Sequence, residues 1–376
     1  MEDRARGSLL GLAWGDVFGL PVEGWRRTEI ERVYGKYQEL PAELRLNQIL
    51  SREARRRLRP LGLHSDKTQL AMALINACLA VRPWSLGLWA QWVAVGVQRG
   101  AYRGYGRNLQ EAAHKLSRGA PPEHAGSPSA GMSAAARVSP LGAIYRDQPA
   151  LLAEVAMESS FVTHGDIRAG ALSFAVARAS AMLINGADQA EVREKLPAEV
   201  AAVEEEWLNG HRGWGIDRTG GNGLSQCLAA VLGTEHESLD ALRMNISVQA
   251  RPHLAAGVVK AHPNQGFVLL GGLHGLVMGL WPKGEPAELL AEIMRQGYDT
   301  DTVGAICGGL LGARFGTSWI PCERLMDSER LEIYAEALVR RDAAPEGREA
   351  FVEREYDLTV IEKQFQADLL GGGPRP

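Results

Sequence analysis

Helical periodicity is the feature that most restricts this chain. Residues 68–81 read TQLAMALINACLAV and set Leu70, Ala73, Leu74 and Ala77 on one face, the spacing of a helix packed along one side. Comparable runs recur at 4–12, 167–183, 225–232, 289–295, 303–313 and 328–339. Alternating stretches closed by hairpin turns are scarce. The pattern predicts an all-α fold, and the many alanines and 43 glycines predict helices packed closely through small side chains. No repeat or strong linker interrupts it. One compact domain is therefore expected over 1–340, followed by a C-terminal extension, 341–376, whose last residues LLGGGPRP should fray.

Bulk charge narrows the class of partner. Lys and Arg total 41 and Asp and Glu 45, a net −4, so nothing in the balance calls for nucleic acid or an anionic membrane. The longest apolar run, 266–281, is rich in glycine, holds His274 and is short for a membrane span. The first twenty residues place Asp16 within their apolar stretch and read as structure rather than as a leader. A cytoplasmic protein is expected. Cys78, Cys227, Cys307 and Cys322 lack paired spacing and read mostly as small core residues.

Three segments break the pattern: 40–62, 100–140 and 211–223. A connection as long as 100–140 inside a compact domain is usually a working loop. The basic run within the first, 52–59, reads either as a solvated face or as a patch for an acidic partner or phosphates. Trp84, Trp89 and Trp92 are expected to pack rather than to stack on a ligand.

Four short motifs carry polar chemistry. Gly297-Tyr298-Asp299-Thr300-Asp301-Thr302 opens a glycine-rich helix with two carboxylates and a hydroxyl, oxygen donors of the kind that suit Mg²⁺. The plainer reading is a helix cap. The same two readings apply to His64-Ser65-Asp66-Lys67-Thr68. Gly15-Asp16 through Pro21-Val22-Glu23 ends a helix in a turn bearing two carboxylates, and Thr163-His164-Gly165-Asp166 precedes another helix.

In this order the motifs resemble those of the ADP-ribosylglycohydrolase family. GDVFGLPVE is similar to its first signature, and Arg103-Gly104-Tyr105-Gly106 to its R-G-Y-G segment. The stretch from Gly131 to Gly142 is similar to its glycine-rich G-N-G segment, His164 falls on its T-H-x-D element, and GYDTDTVGAICGG matches its last signature. The resemblance covers residues 6–317. It implies a helical fold around a binuclear Mg²⁺ centre, with ADP-ribose released from a modified protein, most simply at an arginine side chain, or from a small ADP-ribosyl acceptor. Carried over, Ser65, Asp66, Asp299, Asp301 and Thr302 would be metal ligands and Glu23, with Asp301, the catalytic carboxylates. Gly104, Gly106, Gly131, Ser133 and His164 would cradle diphosphate and ribose.

Two departures matter. Lys67 stands where the family's T-D-D-T element has its second aspartate, replacing an anionic ligand by a cation, so one of the two ion sites is expected to be weakened. Its ammonium either sits where that ion would, between Asp66 and Asp301, or points outward. Met132-Ser133 replaces Asn-Gly. Two outcomes stay open: a divergent hydrolase, or a member without turnover that binds ADP-ribose or a protein partner in a regulatory or immunity role.

Overall fold

Gly7, Gly11, Gly15 and Gly19 recur every fourth residue of the first helix, Glu2–Gly19, and so form one bare stripe along it. In the computed structural model, which describes residues 1–49, 55, 57–255 and 261–370, that stripe lies antiparallel on Gly312, Gly308 and Gly304 of the helix Thr300–Phe315. A Cβ added at Gly7, Gly11 or Gly15 would stand 2.3, 2.2 or 2.0 Å from the carbonyl oxygen of Gly312, Gly308 or Gly304. No side chain fits between the two backbones. Gly19 meets Asp301 in the same way, its added Cβ 2.5 Å from the Asp301 nitrogen. The expected close packing through small residues is thus concentrated in one helix pair. That pair sets the end of the first motif against the start of the last.

Sixteen α-helices and no strand occur among the described residues. The helix Ile167–Ile184 runs through the middle and touches the first helix, Ser139–Ile144, Pro149–Phe161, Gln189–Asn209 and Thr300–Phe315. By length and composition it could cross a membrane, yet 89% of it is buried among these neighbours. The run 266–281 is a π-turn, Val268–Gly272, and the short helix Leu273–Gly279, both fully buried. Trp89 and Trp92 are buried, and Trp84 donates from Nε1 to Glu158 at 2.7 Å. Cys78, Cys227 and Cys307 are buried free thiols and Cys322 is half-buried.

The structure departs from the sequence reading in 100–140, where the helix Arg107–Ser117 interrupts the expected loop. Leu109, Ala112 and Ala113 of it are buried at helical spacing, while Gly106 at its start offers no side-chain cap; the short apolar stripe was the one local signal of this helix. Beyond residue 340 the chain forms the helix Arg348–Leu369, which buries Phe351, Glu355 and Leu358 against the body. The tail expected to fray lies outside the described residues beyond Leu370, as does half of the basic run 52–59, namely 52–54 and 56.

Candidate functional site

Asp16, fully buried near the end of the first helix, organises the second motif. Its carboxylate accepts from Ser65 Oγ (2.6 Å) and N (2.9 Å) and from Thr68 Oγ1 (2.6 Å) and N (3.2 Å). Ser65 also caps the helix Asp66–Ala80, its Oγ accepting from Lys67 N. The Ser65 hydroxyl is therefore turned into the helix junction. The R-G-Y-G segment is clipped to the same helix start: Asp66 N donates to Arg103 O at 2.9 Å, and Arg103 N to Gln69 Oε1 at 2.8 Å. Arg103 itself is buried in an ion pair with Glu355 of the last helix at 2.8 Å.

The last motif is tied to the first through the backbone. Gly24 N donates to Tyr298 O (2.8 Å), Tyr298 N to Trp25 O (2.7 Å), and Thr300 Oγ1 to Gly19 O (2.8 Å). Buried Asn264 donates from Nδ2 to Ile293 O and Gly297 O, both at 2.8 Å, and its Oδ1 lies 2.7 Å from His274 Nδ1. Asp299 begins the helix Thr300–Phe315 without making a side-chain cap bond. Capping accounts for Ser65 and for Asp166, which accepts from Arg168 N, but not for Asp299.

Lys67 points inward. Its Nζ lies 2.9 Å from Asp66 Oδ1 and 2.8 Å from Asp301 Oδ2, and all three side chains are buried. Burial alone would lower the ammonium's pKa; Asp301, Asp66, Glu23 and Asp299 outweigh it and raise it well above the ordinary value. The same lysine overcomes burial at Asp301 and holds that carboxyl below its ordinary range. Burial, then the charge of Asp301, raises Asp299 well above the carboxylate range, and burial raises Asp66 despite Lys67. The centre is an ionised Lys67–Asp301 pair beside a carboxyl, Asp299, that tends to keep its proton.

These residues do not fit a pair of divalent ions. A buried ammonium already bridges two of the expected ligands, and the Ser65 hydroxyl is engaged by Asp16. Among the described residues no group of three or more His, Cys, Asp or Glu is arranged to hold a metal. An ammonium and Mg²⁺ repel, and both need the same carboxylate oxygens.

The cleft in front of this centre has a volume of about 470 Å³, and its lining includes Glu23, Asp66, Lys67, Asp299 and Thr302 together with Gly104, Gly106 and Ser133. Asp66, Gly106 and Ser133 also border an adjoining pocket of about 400 Å³ that reaches His164 and Arg137. A Cβ on Gly131 would stand 3.2 Å from the His164 ring. Glu23, a quarter exposed, lies 3.6 Å from Arg59 Nη1 and 4.0 Å from Arg57 Nη1. Burial and Asp301 raise its pKa, against the pull of Lys67 and the two arginines. Arg59 is held from behind by Glu362 of the last helix, at 2.6 Å.

Arg137 is the residue the sequence reading passed over. It is buried, donates from Nη2 to Ser159 O and Thr163 Oγ1, lies over the Trp89 ring, and leaves Nε without a hydrogen bond. Burial lowers its pKa to about 10, and burial with the nearby Arg137 charge lowers His164 to about 3. Asn264, His274 and Glu362 were also passed over as site-building residues, because each is brought in by tertiary contacts that no local spacing signals; Asp16 stood in the first motif, but its partners Ser65 and Thr68 were not legible there.

Residues 1–348 match the family model described as ADP-ribosylglycohydrolase, and the chain belongs to that family. It is 30% identical over 187 residues to an uncharacterized protein of Archaeoglobus fulgidus. That match takes in 49% of this chain and spans 57% of the relative's length. Among solved structures, an ADP-ribosylglycohydrolase-related protein complex aligns with a TM-score of 0.62 at 23% identity, covering 91% of this chain and 98% of its own. That likeness supports the all-α fold.

Proposed function

We propose that this chain hydrolyses the glycosidic bond of an ADP-ribosyl group, with the modified side chain of an arginine as the acceptor released, and that Lys67 takes the place of divalent ions. The observation that carries the reading is the Lys67 ammonium held 2.8–2.9 Å from Asp301 and Asp66 at the wall of the cleft. An ammonium has three donors; two serve these carboxylates, leaving one for a substrate oxygen. Cleaving the bond builds positive charge at the anomeric carbon and requires a proton for the leaving nitrogen and a water on the sugar. Glu23 lies at the cleft with a pKa raised by burial and by Asp301, a direction that suits a carboxyl passing a proton to a leaving group. Backbone N–H groups at Gly104 and Gly106 suit a diphosphate.

Family membership and the cleft support this reading. A second reading, binding of ADP-ribose without turnover, is favoured by the 3.6 Å approach of Arg59 to Glu23, which opposes its protonation. One experiment separates them: ADP-ribose binding by calorimetry, and ADP-ribose release from an arginine-modified protein with Mg²⁺ or with EDTA, for wild type, Glu23→Gln and Asp301→Ala. Release that survives EDTA and is lost in both variants is the expected result. Binding without release selects the second reading, and absence of binding rejects both. Release that requires Mg²⁺ would show that Lys67 does not stand in for the ions.

A further inference from the structure

Tyr298 occupies a position that its own backbone disfavours. Its φ is +62°, a left-handed conformation open to glycine and strained for a bulky side chain. The two hydrogen bonds that lock it, to Trp25 O and from Gly24 N, are backbone bonds that glycine would make equally well. The side chain is therefore what needs explaining, and strain kept at a cleft points to use. Tyr298 as a whole is 42% exposed and lines the cleft with Glu23 and Asp299. Its other neighbour is the His262 ring, stacked at 3.8 Å with 24° between planes. Burial and Arg243 push the His262 imidazole down to about 4, so this stack is uncharged at neutral pH and does not repel a cation.

The cleft thus has two unlike ends. The adjoining pocket reaches the buried, polar His164 and the buried cation of Arg137. The end at Tyr298 offers an aromatic face in a cleft that also holds the carboxyl groups of Glu23 and Asp299. A planar, delocalised cation suits that face, stacking on the ring while its N–H groups reach an oxygen acceptor.

We infer that Tyr298 is the acceptor-recognition residue of this cleft and selects the planar guanidinium of an ADP-ribosylated arginine over acceptors attached through oxygen. The inference rests on the ADP-ribosyl reading above. Full-length protein carrying Glu23→Gln, to suppress turnover, is compared with the same protein carrying Tyr298→Gly or Tyr298→Phe in addition. Affinities are measured for ADP-ribose, an ADP-ribosylarginine peptide and an ADP-ribosylserine peptide. Tyr298→Gly should weaken the arginine peptide about tenfold, the scale of a lost cation–π contact, leave the other two within about twofold, and leave the melting temperature unchanged or higher. Tyr298→Phe should keep the arginine preference. Equal weakening of free ADP-ribose would place the ring against the nucleotide and overturn the inference, as would an unchanged preference. A Glu23→Gln parent that binds no ADP-ribose, with wild type also failing to bind it, rejects the underlying functional reading instead.

Discussion

The ammonium of Lys67 and the carboxylate of Asp301 lie 2.8 Å apart, both buried, with Asp66 closing the other side at 2.9 Å. Removing one member of a buried pair leaves the other uncompensated, which costs about 3–5 kcal/mol. Lys67→Met should lower stability by that order in urea denaturation. Lys67→Asp should behave differently: weakly stable alone, it should gain stability as Mg²⁺ is added, because an ion that binds only the folded state stabilises it by mass action. A Lys67→Asp protein indifferent to Mg²⁺ would mean that this cluster cannot be converted to an ion site by charge alone.

The glycine stripe gives a second test. Alanine is ordinarily the better helix former by about 1 kcal/mol. At Gly11 the added methyl would meet the Gly308 carbonyl oxygen at 2.2 Å, and backbone cannot step aside as a flexible side chain can. Gly11→Ala should therefore destabilise by about 3 kcal/mol or more, whereas Gly87→Ala, which meets nothing within 4 Å, should be neutral or stabilising. Urea midpoints for the two variants decide it, and equal midpoints would refute the close-packed interface.

Glu362 holds Arg59 by a contact in which both side chains are under a tenth exposed. Glu362→Gln should destabilise by about 3 kcal/mol and alter ADP-ribose affinity, since Arg59 in turn faces Glu23. The exposed pair Lys195–Glu191 is the control, and Glu191→Gln should change neither measurement. Loss of stability with unaltered affinity would confine Glu362 to a structural role.

Acid sensitivity follows from buried histidines. His164, at about 3, and His274, well below its ordinary value through burial and then Arg243, both lie below the unfolded value of about 6.5. The unfolded chain therefore takes up these protons first. Stability should be full above about pH 6.5 and fall as pH drops towards the folded values, approaching about 1.4 kcal/mol per pH unit for each histidine. His274→Gln should flatten the decline between pH 6.5 and 5 in urea titrations. An unchanged slope would show that His274 does not titrate in this way.

The helical class was legible because periodicity is local, and Asp299 with Asp301, or Asp66 with Lys67, were legible because they are neighbours in the chain. The inward direction of Lys67 was one of two readings until the first helix was seated, since only the position of Asp301 decides it. Asp16 and Glu362 act through contacts to segments far away in sequence, and a lone carboxylate carries no mark of its partner. The fourfold glycine spacing at 7, 11, 15 and 19 is visible in the chain, but nothing local states that Gly312, Gly308 and Gly304 lie opposite.

The glycine seam also orders events in time. Thr300 and Gly19, at one end of it, are 281 residues apart, and synthesis at ordinary rates takes on the order of tens of seconds to cover that distance. Throughout that interval the first helix has a bare backbone face and no partner for it. The carboxylates of the cleft meet only after nearly the whole chain has emerged, so a nascent protein carries half of its site long before it can bind anything there.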